Sequence, residues 1–159
     1  MLLPGHLPRL HRRQGGWRLT TTIWTIGFGE RSFDDVERDL ADLDISMIVD
    51  VRTRRDDPRV RDFDHRRLEE LATEAGFGYR WMGSTLGEDS VAEVGAGVDD
   101  LIAIAEASRT VVLCREPDAE QCHRSTVIAP ALGARGVAVI HILPNGSTRP
   151  HESPLPFDR

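Results

Sequence analysis

The chain has 159 residues, a formal net charge of -6 and two cysteines. This length suits a single domain that buries its own core, and two closely spaced thiols do not make a disulfide framework, so we expect a cytoplasmic protein with reduced cysteines. The acidic balance argues against a general nucleic-acid-binding protein but does not exclude a local basic groove. Because no apolar run reaches the length of a membrane span and residues 1–18 lack the form of a secretory signal, we expect no membrane partner.

Strand patterns alternate with amphipathic helix patterns from residue 19 onward. Strands are predicted at residues 21–27, 45–51, 77–82, 110–114 and 137–143. Helices are predicted at residues 33–43, 65–76, 99–107 and 119–132, and Pro130 should kink or shorten the last of them. Residues 1–18 are predicted to be a poorly ordered extension, and the proline-rich residues 144–159 an extended tail.

This alternation predicts an α/β domain with a mostly parallel sheet of about five strands flanked by helices, in a rhodanese- or flavodoxin-like layering. In such sheets, ligands bind beyond the carboxyl ends of the strands. Three strands end in chemically rich loops, which are GFGER (27–31), DVRTRR (50–55) and CREPDAEQCHR (114–124). We therefore expect these loops to share one edge of the sheet and to form the functional site there.

Both cysteines lie in the segment LCREPDAEQCHRS, residues 113–125. Asp118 as N-cap and Gln121 as its capping-box partner predict that a helix begins there, with Cys122 about one turn into it. The free N–H groups and the dipole at a helix N-terminus lower the pKa of a thiol, which makes Cys122 a candidate nucleophile or redox group. Cys114 ends the preceding strand and is either a second reactive thiol or a small buried residue.

Other polar residues of this segment complete a candidate catalytic site. His123 is a candidate proton carrier, Glu116 a further catalytic candidate, and Arg124 a candidate ligand for an anionic substrate. A zinc site formed by the two cysteines, His123 and His141 is disfavoured, because the spacing fits no compact zinc motif. The glycine loop at 27–30 lacks the dinucleotide-binding fingerprint, and there is no Walker motif, so we predict neither a metal nor a cofactor.

Two further candidates lie at strand positions. Asp50 and Arg52 end the second strand on the same side of the sheet, where Arg52 either binds an anion or forms a structural ion pair with Asp50. His141 lies in an apolar strand, where a histidine is more often a hydrogen-bonded core residue than a catalyst.

Four stretches together resemble one bacterial family: TIGFGERSFDD, IVDVRTRRDDPRVRDFD, GFGYRWMGSTLGE, and the span from VVLCREPDAEQCHRS to VAVIHIL. The family is catalogued as domain of unknown function 488, and the resemblance covers residues 22–143. It implies importance for the residues that match its motifs, namely Asp50, Arg52, Tyr79, Leu86, Gly87, Cys114, Glu116, Cys122, His123, Arg124 and His141. Phe28 and Gly29 replace the His and Ser usual in the family, and Glu88 replaces a Gly. If that His and Ser serve the family's activity, the first two replacements imply an altered substrate or a lost activity.

Three hypotheses about function follow. The first is a small enzyme whose Cys, His and Arg residues act on an anionic substrate that contains phosphate, a nucleotide or sulfur. Asp50 holds the anion-binding Arg52 in this hypothesis, His141 points toward the site by strand alternation, and Tyr79 joins the binding residues through the resemblance. The second is a nucleotide- or nucleic-acid-binding module, in which phosphate and base are contacted by Arg52, Arg54, Arg55, Arg124 and Trp81. The third is a structural role, in which the cysteines and His123 hold a polar loop of an accessory domain together.

Overall fold

A single open sheet forms the centre of the molecule. The computed structural model describes residues 10–13, 16–56, 59–88 and 94–152, with side chains described from residue 20 onward. Its strands are β1 (Leu10–Arg13), β2 (Gly16–Leu19), β3 (Thr22–Gly27), β4 (Met47–Asp50), β5 (Gly78–Trp81), β6 (Thr110–Cys114), β7 (Ala138–Ile142) and β8 (Thr148–Pro150). Strands β3 to β8 form the sheet in the order β5-β4-β6-β3-β7-β8, while β1 and β2 pair separately. All neighbouring pairs in this sheet are parallel except β7 with β8.

Helices cover both faces of the sheet. They are α1 (Phe33–Asp42), α2 (His65–Glu74), α3 (Gly83–Leu86), α4 (Val94–Ala107) and α5 (Ala129–Gly133), with single 3-10 turns at Arg61–Phe63 and Ala119–Gln121 and a π-helical turn at Arg124–Ile128. Apolar residues of α1 and α2 pack on one face, against Ile26, Ile48 and Leu113. Those of α4 and α5 pack on the other face, against Val49 and Val112.

The predicted α/β class and all five predicted strands are confirmed. The strands β3, β4 and β6 have the apolar runs that burial on both faces requires, and β6 is buried along its whole length, whereas the edge strand β5 is only partly buried. The sixth strand, β8, comes from the region that was predicted as an extended tail. A turn at Asn145 and Gly146 folds it back on β7, and Gly146 has the positive φ of 86° that this turn needs.

Both chain ends lie partly outside the described residues. The predicted extension over residues 1–18 is described only at β1 and β2, which pair antiparallel with each other. The tail is described as far as residue 152.

The fourth predicted helix differs most from the structure. Asp118 does act as a cap, but of the 3-10 turn Ala119–Gln121, and Cys122 follows this turn in an extended conformation with φ -117° and ψ 147°. The helix starts immediately afterwards, because the carbonyl of Cys122 accepts from the N–H groups of Ser125 and Thr126 at 3.0 and 3.2 Å. Cys122 therefore precedes the helix N-terminus instead of lying one turn inside it, and this break turns its side chain toward the end of β6.

The expected effect of Pro130 on this helix fits the structure. The π-helical turn Arg124–Ile128 precedes α5, and Pro130 lies in the first turn of α5. A proline is tolerated in a first turn, where the hydrogen bond that it cannot donate is not required.

Gly27 at the end of β3 packs closely against the loop that follows β6 at the carboxyl edge of the sheet. A Cβ on Gly27 would collide with the carbonyl oxygen of Glu116 and lie 3.0 Å from Nη1 of Arg124, whereas a Cβ on Gly133 would meet nothing within 4 Å. We expect Gly27→Ala to lower the free energy of unfolding by about 1–3 kcal/mol, because backbone must shift to admit the methyl group.

The matched control is Gly133→Ala, which should be neutral or stabilising by up to about 1 kcal/mol, since alanine reduces the freedom of the unfolded chain. Urea unfolding followed by circular dichroism measures both variants. Equal stabilities of the two variants would contradict the close packing of Gly27 against the loop after β6.

Candidate functional site

A pocket of about 390 Å³ opens at the carboxyl edge of the sheet, between the loops that follow β4 and β6. The chain leaves β4 toward the α1 and α2 face and leaves β6 toward the α4 and α5 face, which creates the crevice typical of ligand sites in parallel sheets. Its lining residues are Arg52, Arg54, Asp56, Arg59, Glu88, Cys114, Arg115, Glu116, Cys122 and His123. The two loops that the sequence predicted to meet at one edge therefore do so.

Both cysteines lie in the wall of this pocket and contact each other. The sulfur atoms of Cys114 and Cys122 are 3.0 Å apart, both thiols are free, and both side chains are largely buried. Cys114 is the last residue of β6, and Cys122 is the extended residue before the following helix. The end of β6 and the extended conformation of Cys122 thus bring together two cysteines that the sequence did not predict to be in contact.

The cysteine pair holds one proton and one negative charge. The hydrogen bond from the Cys114 thiol, which outweighs the effect of burial, lowers the pKa of Cys122 to about 4, and His123 and Arg124 contribute to the same shift. The pKa of Cys114 rises, because it donates this hydrogen bond and because it is buried beside a thiolate. At neutral pH Cys122 is therefore the thiolate and Cys114 the thiol.

His123 lies next to this thiolate, with Nδ1 3.5 Å from Sγ of Cys122. Burial alone would lower the pKa of His123, but the hydrogen bond and charge of Cys122, together with the charge of Glu88, raise it. The imidazole is therefore suited to hold a proton beside the reactive sulfur and to give it up to a leaving group.

Arg124 is fully buried behind the cysteines and does not line the pocket. Its Nη1 donates to Sγ of Cys114 at 2.7 Å and to the carbonyl of Glu116 at 2.6 Å, and its Nε donates to the hydroxyl of Thr25 at 3.2 Å. A fourth group, the carbonyl of Pro117, accepts from Nη2 at 3.3 Å. Arg124 was predicted as a substrate ligand, but these contacts make it the residue that positions Cys114 and the loop after β6.

Arg52 reaches the pocket from the other side of the sheet. Its Nε and Nη2 form a bidentate pair with the buried carboxylate of Asp50 at 2.9 and 2.8 Å, as the alternation along the strand predicted. The hydroxyl of Tyr79 donates to the same carboxylate at 2.6 Å, and burial and the charge of Asp50 raise the pKa of Tyr79. Asp50 and Tyr79 thus lie outside the lining and act by orienting Arg52, which also stacks over the ring of Phe28.

His141 is buried next to Arg124 instead of facing the pocket. Its Nδ1 is 2.6 Å from the hydroxyl of Thr25, which also accepts from Arg124, and its Nε2 is 3.2 Å from the hydroxyl of Ser125 and 3.0 Å from Nδ1 of His151. Burial, and then the charges of His151 and Arg124, lower the pKa of His141 to about 4. His141 is therefore a neutral, hydrogen-bonded core residue, which is the more common role of a histidine in an apolar strand, and not a residue of the pocket.

Glu116 contributes mainly through its backbone. Its carbonyl accepts from Arg124, while its exposed side chain accepts from the N–H of Asp118 at 3.0 Å. The sequence did not single out Arg59, Arg115 and the acidic Asp56 as pocket residues, and it gave Arg54 a role only in the nucleic-acid-binding hypothesis. Their charges alone could not have identified them, since arginines and carboxylates are common both in the loop after β4 and in the loop after β6.

Comparison with protein-family models, curated proteins and solved structures finds no match to this chain. In the described part of the chain, no helix combines the length and the apolar character that crossing a membrane would require.

His141 predicts how stability depends on pH. Its pKa is about 4 in the folded protein and about 6.5 in an unfolded chain, so the unfolded state binds a proton first as the pH falls. The contribution of neutral His141 to the free energy of unfolding is therefore complete above pH ~6.5. It should decline toward pH ~4, by up to about 1.4 kcal/mol per pH unit. In His141→Asn this part of the decline should be absent, as measured by urea unfolding between these pH values.

Val139→Ala in the same strand is the control, because it removes buried apolar volume without a titratable group. It should lower stability by about 2 kcal/mol at every pH. If wild type and His141→Asn lost stability in parallel on acidification, a neutral, buried His141 would be ruled out.

Proposed function

We propose that the protein is an enzyme in which the thiolate of Cys122 attacks a small anionic substrate bound in the pocket between β4 and β6. The observation that carries this proposal is the contact of 3.0 Å between the two sulfurs, with one proton shared between them, in the wall of an open pocket. A structural thiol needs neither an ionised state nor access to a cavity, whereas a nucleophile needs both.

The neighbouring residues have distinct roles in this reaction. His123 protonates the leaving group, since it lies beside Cys122 and its pKa is raised. Arg52 binds the anionic group of the substrate, because Asp50 occupies Nε and Nη2 and Nη1 is the nitrogen not bonded to that carboxylate. Arg54, Arg59 and Arg115 at the pocket wall add positive charge that attracts an anion.

The alternative of a nucleic-acid-binding module has less support. A base-stacking role needs an open aromatic face. One face of the Trp81 ring is covered by the guanidinium of Arg55 at 4.6 Å, and its indole N–H donates to the carbonyl of Arg52 at 2.7 Å. The volume of the pocket also suits a small molecule.

We also propose membership of the family catalogued as domain of unknown function 488. The motif residues that carry the resemblance form two connected groups at one edge of the sheet: Cys114, Glu116, Cys122, His123 and Arg124 around the thiols, and Asp50, Arg52 and Tyr79 around the anion-binding arginine. A reducing compartment, the cytoplasm, is the location that we propose, since the reaction requires both thiols to be reduced.

The pH profile of alkylation tests the thiolate. Iodoacetamide should modify Cys122 at a rate that changes little from pH 8 to pH 5, because the pKa of this thiol is about 4. A free cysteine should lose about tenfold in rate per pH unit over most of this range, since its pKa is about 8.5. Quenched reactions analysed by mass spectrometry give both rates. The two rates should differ most at pH 5, where free cysteine is almost fully protonated. At pH 8 the difference is smaller, because a thiolate of low pKa is intrinsically a weaker nucleophile.

Cys114→Ser is the matched variant for this experiment, because a serine hydroxyl can still donate a hydrogen bond to the Cys122 sulfur. It should keep the flat profile. A profile for wild type that rises with pH like that of free cysteine would remove the basis of the proposed function.

The preference of the pocket for anions is tested by comparing iodoacetate with iodoacetamide. Relative to free cysteine, the protein should favour the anionic reagent, and Arg54→Gln should reduce that preference about threefold, which corresponds to the loss of one charge at the edge of a solvated pocket. Arg38→Gln removes another exposed arginine, on α1 and outside the pocket, and should leave the preference unchanged. Equal preferences in the wild type and in free cysteine would exclude an anion-binding pocket.

A further inference from the structure

We propose that the substrate is a small anionic disulfide, and that the two cysteines reduce it together through a disulfide of their own. This inference rests on the proposed function and specifies the reacting atom of the substrate and the role of Cys114. A nucleophilic cysteine alone would need no second thiol. Here the second thiol lies 3.0 Å from the first, both line the pocket, and together they are all the cysteines of the chain.

In the first step, Cys122 attacks one sulfur of the substrate disulfide. A bond forms between Sγ of Cys122 and that sulfur, the substrate S–S bond breaks, and its electron pair leaves with the other sulfur as a thiolate. His123, next to Cys122, supplies a proton to this leaving group. The protein then holds half of the substrate as a mixed disulfide, and one thiol has been released.

In the second step, Cys114 attacks Sγ of Cys122. The mixed disulfide breaks, and the second half of the substrate leaves as a thiolate, while the proton of Cys114 passes to the neutral His123. The substrate has then gained two electrons, and the protein has lost two in forming the disulfide between Cys114 and Cys122. An external thiol reductant restores the starting state by the same exchange in reverse.

The surroundings of Cys114 suit this second role. Cys122 is the cysteine beside His123, which can protonate the leaving group, whereas Cys114 contacts the buried Arg124, so Cys122 is suited to attack first and Cys114 second. Once Cys122 is bonded to substrate, the negative charge of the pair is gone, and the guanidinium of Arg124, 2.7 Å from Sγ of Cys114, favours ionisation of Cys114 instead. The sulfurs need to approach by about 1 Å to reach bonding distance, which is a side-chain movement.

The competing possibility is that Cys114 only donates a hydrogen bond to a nucleophile that acts on carbon or phosphorus. In that case Cys114 would never change its bonding, and serine would replace it without loss. The contact between the sulfurs alone suits both roles, so the stoichiometry of disulfide reduction is the quantity that separates them.

The test uses dithiobis(nitrobenzoate), a dianionic aromatic disulfide, with the full chain under reduced starting conditions. Wild type should release two thionitrobenzoate anions per molecule and end as an internal disulfide, seen as a mass two hydrogens lower. Cys114→Ser should release one anion and accumulate the mixed disulfide, seen as an added mass of one thionitrobenzoate. Absorbance of the released anion and intact mass under denaturing conditions give these two readouts.

Two comparisons complete the experiment. Relative to free cysteine, the protein should react faster with the anionic probe than with dithiodipyridine, an uncharged disulfide, because the pocket arginines attract only the anion. Arg54→Gln should reduce this ratio of rates about threefold, and Arg38→Gln should leave it unchanged. Dithiothreitol should return oxidised wild type to its initial mass and reactivity. A wild type that stops at one released anion with a stable mixed disulfide would overturn this inference.

The failure of this inference and of the proposed function are distinguishable. Rapid alkylation of Cys122 at pH 5 together with a stable mixed disulfide would retain a nucleophilic Cys122 and reject the dithiol reaction. Slow alkylation with an ordinary pH profile would reject both.

Discussion

The buried guanidinium of Arg124 is the group on which the functional edge of the sheet depends. A cation removed from water costs several kcal/mol unless charge and hydrogen bonds compensate for it. Thr25 and two backbone carbonyls supply hydrogen bonds, but Cys114 is the contact that connects Arg124 to a negative charge, the one shared with Cys122. The negative charge of the cysteine pair therefore stabilises the buried guanidinium, and the guanidinium stabilises that charge. The chemistry of the site is thus linked to the stability of the fold.

The two histidines of this region differ because they lie on opposite sides of Arg124 and the cysteine pair. His123 lies on the thiolate side, where negative charge raises its pKa, whereas His141 lies behind Arg124, where burial and positive charge lower its pKa. Thr25 connects Arg124 to His141 through its hydroxyl group. One histidine is thus suited to carry a proton at the pocket, and the other remains neutral in the core.

Much of the architecture was predictable because it depends on short-range patterns. The apolar runs of β3, β4 and β6 specify buried strands, and parallel strands must bring their carboxyl ends to one edge. The contact between Asp50 and Arg52 follows from alternation along a single strand. The start of the fourth helix was not predictable in this way, since the capping pattern at Asp118 is satisfied equally by a single 3-10 turn, and only the packing around Cys122 selects that outcome.

The sequence by itself determined the fold class, the edge that carries the site and the residue types available there, because local periodicity and strand direction decide all three. Only the tertiary structure decided what each residue does. Arg52 reaches the pocket while Arg124 is buried behind it, although both are arginines in motif positions near strand ends. The distance between the two sulfurs, and hence the ionisation of Cys122, depends on how the loop after β6 folds back over Gly27, which is a contact between segments distant in the chain.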